Sequence, residues 1–397
     1  MSTVSIARCA DYEPSAVADA LETALAPLGG MRAFVSDGQR VLLKINLLSK
    51  ATPERAVTTH PEVVRALIRS VRDAGGTPVV GDSPGGPNTA GQVRALHEAT
   101  GIRRVCEEEG TRLVLFDEEP VRVPNPAGAL YGAFTLGREV VDADVVISVP
   151  KLKTHGFMMF TGAVKNLFGC IPGLEKAQYH LKVPDRDDFA SMLVDLTLAC
   201  NPSLAVMDAI VGMEGEGPAG GTPRSIGALI ASADPFALDV VASAIAGFDP
   251  LEVYTNKAAT RRGLGPASVD DVDVVGADWR QLAPDGFQRP VRDLSSRMPH
   301  WIGKRLRRWT TARPFLEDLA GCTRCKTCEQ SCPVGAIEVS KAGGPSFDER
   351  TCIRCYCCQE LCPPQVIGLS TPPLARRMGR HTLQTTGGGS SARGTSR

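Results

Sequence analysis

Two rhythms of apolar and polar positions alternate from the N-terminus to about residue 270. Short, nearly continuous apolar runs at 41–46 (VLLKIN), 77–82, 112–116, 145–149, 204–207 and 228–231 have the length of strands buried on both faces. Between them lie stretches with a helical repeat. In residues 61–74, Val64, Leu67, Ile68 and Val71 recur at spacings of three and four and form one stripe. Pro61 suits the first helical turn, and Gly75 and Gly76 end it. Residues 90–109 read the same way with a break near Gly101, and 189–198 and 235–246 supply further helices. Buried strands alternating with amphipathic helices predict an α/β domain over residues 1–289, a three-layer fold on a mostly parallel sheet.

The pattern then changes twice. Residues 290–320 predict a basic amphipathic linker, with Arg292, Arg297, Lys304, Arg305, Arg307, Arg308 and Arg313 crowded around an apolar face of Trp301, Ile302, Leu306 and Trp309. Such a helix either docks on its own core with the basic face solvated, or meets a membrane or partner. Residues 371–397 read as a disordered tail. No window approaches the roughly 18 apolar residues of a membrane span. The first eleven residues lack the apolar core of a signal peptide. The expectation is a cytoplasmic protein with no transmembrane segment. Basic and acidic residues, 44 of each, cancel, and only 5% of residues are aromatic, so neither a phosphate-seeking field nor a base-stacking surface points to nucleic acid.

Cysteine changes the picture most. Of 13 cysteines, nine fall between Cys322 and Cys362. Bunched thiols at short regular spacing point to metal rather than to disulfides. Cys322, Cys325, Cys328 and Cys332, followed by Pro333, form one C-x2-C-x2-C-x3-C-P run; Cys352, Cys355, Cys358 and Cys362, followed by Pro363, form another. That is the pattern of bacterial ferredoxins carrying two [4Fe–4S] clusters, in which the fourth cysteine of each run ligates the other cluster. The predicted ligand sets are therefore Cys322, Cys325, Cys328 and Cys362 for the first cluster, and Cys352, Cys355, Cys358 and Cys332 for the second. Zinc also accepts four thiolates, but zinc ribbons separate their C-x2-C pairs widely. Cys357 falls outside the ligand spacing and reads as a bystander. Residues 321–370 thus predict a small α+β ferredoxin-like domain, with the intervening 334–350 as a strand-turn-strand cover.

In the α/β domain, polar groups gather where open sheets bind ligands, at the carboxyl ends of strands. Lys44 and Asn46 end the first strand, and Asp82 and Ser83 end the second. The run at 145–150 leads into Lys151, Lys153 and His155, then Lys165 and Asn166, and later His180. Ammonium groups and backbone N–H groups at such ends favour a carboxylate or phosphate, although lysines there are also often merely solvated. The expected substrate-binding residues are Lys44, Asn46, Lys151, Asn166 and His180; the expected catalytic residues are Lys153, Lys165 and His155, the last as proton donor. Residues 214–221, rich in glycine, read as a lid or a surface turn. No phosphate-binding G-x4-G-K-[ST] motif occurs, and the glycines after Gly81 lack dinucleotide-binding spacing.

The segments Lys44-Ile-Asn46, Asp82-Ser83, Pro150-Lys151-Leu-Lys153-Thr154-His155, Lys165-Asn166-Leu-Phe-Gly169 and Asp234-Pro-Phe-Ala-Leu-Asp239 resemble the domain-of-unknown-function 362 family. Members of that family often carry a C-terminal ferredoxin domain. The resemblance covers about residues 41–247 and the cysteine module, and implies the architecture rather than a reaction.

The leading expectation is an iron–sulfur oxidoreductase. An external donor (a ferredoxin, flavodoxin or reductase) passes electrons through the clusters to a small anionic substrate or further cofactor in the α/β domain. The alternatives are an electron carrier or adaptor for a partner enzyme, and a non-redox enzyme whose clusters are structural. The first requires one edge of the cysteine module to cover residues 151–169, with Cys170 and the 214–221 loop beside it.

Overall fold

Strand β2 (Arg40–Ile45) shows why the fold forms three layers. Val41 and Leu43 face one hydrophobic cluster, with Val64, Leu67 and Ile68 of the helix Pro61–Asp73. Leu42 faces the other, with Leu193 of the helix Arg186–Cys200 and Val240 of the helix Pro235–Ile245. Alternation along an extended chain sends successive side chains to opposite faces, so a wholly apolar strand demands cover on both. The computed structural model describes residues 1–86, 88–173, 175–290 and 311–370.

The strands, in chain order, are β1 (Thr3–Arg8), β2, β3 (Thr77–Asp82), β4 (Arg112–Leu115), the separate hairpin β5 (Val121–Pro124) and β6 (Ala133–Leu136), β7 (Val145–Val149), β8 (Lys151–His155), β9 (Met159–Thr161), β10 (Leu204–Glu214), β11 (Thr222–Ser232) and β12 (Asp273–Gly276). Ten of them make one sheet in the order β12-β1-β11-β10-β7-β2-β3-β4, with β8 pairing with β10 and β9. Pairings through β7, β2, β3 and β4 are parallel. β11 is antiparallel to β1 and β10, and β9 to β8. The domain is therefore α/β on a mostly parallel sheet.

Three features differ from the sequence reading. The 204–207 run continues as the eleven-residue β10, and the 228–231 run is the end of the equally long β11. The polar stretch after Pro150, to which the sequence assigned no element, is strand β8, entirely buried. The 214–221 segment is the turn between β10 and β11, with Gly217, Pro218 and Ala219 buried.

The cysteine module holds β13 (Arg313–Leu316), β14 (Ile337–Ser340), β15 (Gly344–Phe347) and β16 (Ile367–Ser370). β14 and β15 form the expected hairpin over 334–350. β13 pairs antiparallel with β16, so Arg313–Leu316 belongs to the module and not to the linker expected over 290–320. Residues 291–310 of that basic segment and the expected tail, 371–397, lie outside the described residues.

Candidate functional site

The lysines at the strand ends divide into two kinds. Lys44 is fully buried; its Nζ lies 2.8 Å from Asp82 Oδ1 and donates to the Ile45 carbonyl at 2.6 Å. Lys151 is equally buried, 2.8 Å from Asp208 Oδ2 and donating to the Tyr12 hydroxyl at 2.6 Å. Both charges are neutralised by carboxylates of neighbouring strands. The expectation that Lys44 and Lys151 hold an anionic substrate is corrected on that ground. Lys153 donates to Asn46 Oδ1 at 2.7 Å and to the Val57 carbonyl at 2.6 Å, and burial pushes its pKa down to about 7. It braces Asn46 from behind and does not line the cavity described next.

That cavity opens at the carboxyl ends of β2 and β3. The α/β domain contributes Asn46, Asp82, Ser83, Lys165, Asn166, Lys176 and His180. Asp239 sets the backbone here, its carboxylate accepting from Ala163 N at 2.6 Å and Val164 N at 3.1 Å at the start of the turn that carries Lys165 and Asn166. Asn166 Nδ2 donates to the Lys44 carbonyl at 2.9 Å and to Ser148 Oγ at 3.1 Å, tying that turn to β2 and β7. Lys165 Nζ sits 4.7 Å over the Phe168 ring and has no hydrogen-bond or ion-pair partner among the described residues. Lys176 donates to the Ser83 carbonyl at 2.7 Å, and burial lowers its pKa to about 8 against the pull of Asp82 and Asp117. His180 stacks on Phe189 with ring centroids 4.5 Å apart. Burial holds it neutral, its pKa near 3, and its Nδ1 has no partner.

The other wall comes from the cysteine module, which supplies Ser331, Cys357, Glu360 and Leu361. A Cβ on Gly85 would meet Leu361 Cδ2 at 2.6 Å, so the absence of a side chain lets the two domains close. Gln359 Nε2 donates to the Glu216 carbonyl at 3.4 Å, which brings the β10–β11 turn to the same edge. Cys170 instead lies in the core against Cys200. His155 is beneath the module, Nε2 3.3 Å from Glu360 Oε1 but not aligned for a hydrogen bond. Its Nδ1 accepts from Phe157 N and Met158 N at 3.0 and 3.3 Å. Burial and the nearby Lys165 hold its pKa well below the ordinary value. A neutral imidazole with Nδ1 occupied and no face on the cavity does not fit the expected proton donor.

The two cysteine runs are structural repeats. Arg324 and Lys326 have φ of 53° and 62°, and Arg354 and Tyr356, at the matching positions, 61° and 65°. Each run then enters a short helix, Thr327–Gln330 and Cys357–Glu360. Cys322, Cys325, Cys328 and Cys362 line one small cavity. Cys355, Cys352, Cys328 and Cys332 all act on the Cys358 thiol, so thiols of both runs converge there. Four thiols lining one space fit a group with soft thiolate ligation that is larger than a single ion.

Residues 41–244 match the family described as Domain of unknown function (DUF362), and residues 315–363 match the 4Fe-4S dicluster domain. A thylakoid-associated protein of Synechocystis sp. is 40% identical over 291 residues, covering 73% of this chain and 88% of that protein. The chain belongs to the DUF362 family. Among solved structures, the lactate racemase apoprotein from Thermoanaerobacterium thermosaccharolyticum is similar at 13% identity and a TM-score of 0.38, over 59% of this chain and 55% of that one.

In this DUF362 chain, three cavity residues escaped the sequence reading. Lys176 lies on a helix, Glu175–Lys182, far from any strand end in sequence, and nothing in its neighbourhood marks it. Glu360 and Cys357 sit among the ligand cysteines and read as filler. Comparing the runs position by position would have exposed both, because Gln330 and Thr327 occupy their places in the first run. No helix of the described residues is long and apolar enough to cross a membrane.

Proposed function

We propose that this protein is a cytoplasmic iron–sulfur oxidoreductase that reduces a small anionic substrate in the cavity between the DUF362 domain and the dicluster domain. The observation that carries the proposal is the shared wall. Ser331, Cys357 and Leu361 line the cavity, and each is the residue immediately before a cluster cysteine, Cys332, Cys358 or Cys362. Electron tunnelling weakens steeply with distance, and this cavity holds a substrate beside the module.

The first ligand set is Cys322, Cys325, Cys328 and Cys362, and the second Cys332, Cys352, Cys355 and Cys358. Bound there, the two [4Fe–4S] clusters supply one electron each. An external one-electron donor is oxidised twice per turnover, and the substrate gains two electrons with two protons from solvent.

The chain's own residues do the selecting. Lys165, with no protein partner, and Lys176 attract the anion. Asn46, its Oδ1 held by Lys153, offers an amide N–H, and neutral His180 offers a ring with an unused nitrogen. Leu47, Leu48, Pro84 and Phe168 exclude water from the apolar part of the substrate. Glu360 limits the positive charge. Burial raises its pKa, and the nearby Lys165 and Lys153 oppose that rise.

The test uses full-length protein assembled anaerobically, with about eight iron and eight labile sulfides per chain expected. Dithionite-reduced protein is mixed with a panel of small carboxylates and phosphates, and reoxidation is followed by visible absorption. Wild type should be reoxidised by a subset of the anions. Lys165→Ala and Lys176→Ala should lose that response with iron content unchanged. Reoxidation only by an electron-carrier protein, equal in all three proteins, would overturn the proposal.

A further inference from the structure

The repeat within the module allows its two halves to be compared residue by residue, and they differ in what covers them. In the first run Thr323, Arg324, Cys325 and Lys326 are all exposed. In the second, the residues matching Arg324 and Lys326 are Arg354 and Tyr356, 5% and 3% exposed. Tyr356 donates its hydroxyl to the Ala312 carbonyl at 3.2 Å, and its ring lies over Gly156 at the end of β8. The backbone at these positions is the same in both runs, so the difference is one of docking: the second run is pressed against the DUF362 domain and the first faces outward.

A second correspondence concerns the ligand sulfurs. In the first run Thr327 Oγ1 lies 3.3 Å from Cys325 Sγ, two residues before it. In the second run Cys357 holds Thr327's place, two residues after Cys355, and its thiol acts on that of Cys355. Cys357 is buried, and it also lines the cavity, as Thr327 does not. A donor on a ligand sulfur stabilises the more negative, reduced cluster and raises its potential.

We infer that the module conducts in one direction. The set Cys322, Cys325, Cys328 and Cys362 receives electrons from outside, and the set Cys332, Cys352, Cys355 and Cys358 delivers them to the cavity. Cys357 is the positioning residue between the delivering set and the ligand. This inference rests on the ligand sets proposed above. It adds no chemical step: with both clusters bound, each electron taken up by the receiving set would pass unchanged to the delivering set.

The experiment uses anaerobically assembled full-length protein, reduced with dithionite and frozen for electron paramagnetic resonance with a soluble dysprosium chelate. The signals are first assigned with Cys325→Ser and Cys352→Ser. The chelate should accelerate relaxation of the signal lost in Cys325→Ser and leave that lost in Cys352→Ser nearly unaffected. In a potentiometric titration, Cys357→Ala should shift only the second signal, to more negative potential. Cys357→Thr should restore it by supplying the hydroxyl that Thr327 supplies in the first run. Equal relaxation of both signals, or a Cys357→Ala shift in the first, would overturn the inference. Protein that binds iron but reduces no anion would sink the proposed reaction and leave this assignment standing. Protein without iron would sink both.

Discussion

Replacing Lys44 by methionine removes half of an ion pair that is 0% and 4% exposed on its two sides. The remaining carboxylate of Asp82 would keep two backbone donors, Leu47 N at 2.6 Å and Ser83 N at 2.7 Å, but lose its counter-ion. Breaking a buried pair from one side costs about 3–5 kcal/mol, and those two retained bonds place this case near the lower end, about 3 kcal/mol. For a domain of this size that is a fall in Tm of about 6–12 °C. Removing both charges, in Lys44→Met with Asp82→Asn, should bring the loss back to within about 1 kcal/mol, because a buried pair and its neutral replacement are often equivalent. The measurement is thermal unfolding of the anaerobic protein followed by far-ultraviolet circular dichroism, with iron content as the control. If Lys44→Met alone leaves Tm unchanged, or if the double variant is less stable than the single one, Lys44 is not the counter-ion of Asp82. A direct role toward the substrate would then return to it.

Cys332→Ser should damage the cluster held by Cys352, Cys355 and Cys358 although it lies in the first run, which electron paramagnetic resonance of the reduced protein will show. Lys176, with a pKa near 8, carries its charge below that pH and loses it above. Affinity for an anionic ligand should therefore fall as pH rises through about 8, and Lys176→Gln should flatten the profile measured by titration calorimetry. Asp239 is pushed up to about 7 from 3.8, chiefly by burial, so it holds its proton in the folded chain where the unfolded chain has released it. Its contribution is complete below about pH 4 and lost as pH rises to 7, amounting to about 4 kcal/mol. Asp239→Asn should remove that slope from urea unfolding curves recorded across this range.

Much of the α/β domain was legible because its strands are buried on both faces. Residues 145–149 and 77–82 form β7 and β3 with the bounds read from the sequence, since a continuous apolar run between breakers has few other uses. The helix after Pro61 was equally plain from its stripe. β8 was not, because Lys151, Lys153 and His155 look like a solvated loop. Their burial depends on Asp208, Asn46 and the backbone at Val57, and a pairing partner so distant leaves no periodic trace. The same blindness affected the lysines. Position near strand ends pointed to Lys44, Lys151, Lys153 and Lys165 but not to Lys176, and only the fold shows that carboxylates neutralise Lys44 and Lys151 while Lys165 stays unpaired. The cluster cysteines lay at the opposite extreme, because their spacing is local and metal chemistry fixes it.

The segment Lys165-Asn166-Leu-Phe-Gly169 can now be given a reason residue by residue. Lys165 is the cation left without a partner, and the ring of Phe168 beneath it favours the charge without neutralising it. Asn166 ties the turn to the backbone of β2 and to Ser148. Leu167 is buried in the core and anchors the turn from below. Gly169 passes so close to the Lys44–Asp82 pair that a Cβ there would meet Asp82 Oδ1 at 2.1 Å and Lys44 Nζ at 2.6 Å. Any larger residue would push the turn off the strand ends or break the pair. One short run thus presents a free ammonium to the cavity while pressing against a neutralised pair beneath it. If Lys44 were unpaired as well, two buried cations would face each other across Gly169 and the turn would not seat. Because Lys44 is already satisfied, the unpaired amine of this run is that of Lys165, on the side that the cysteine module closes.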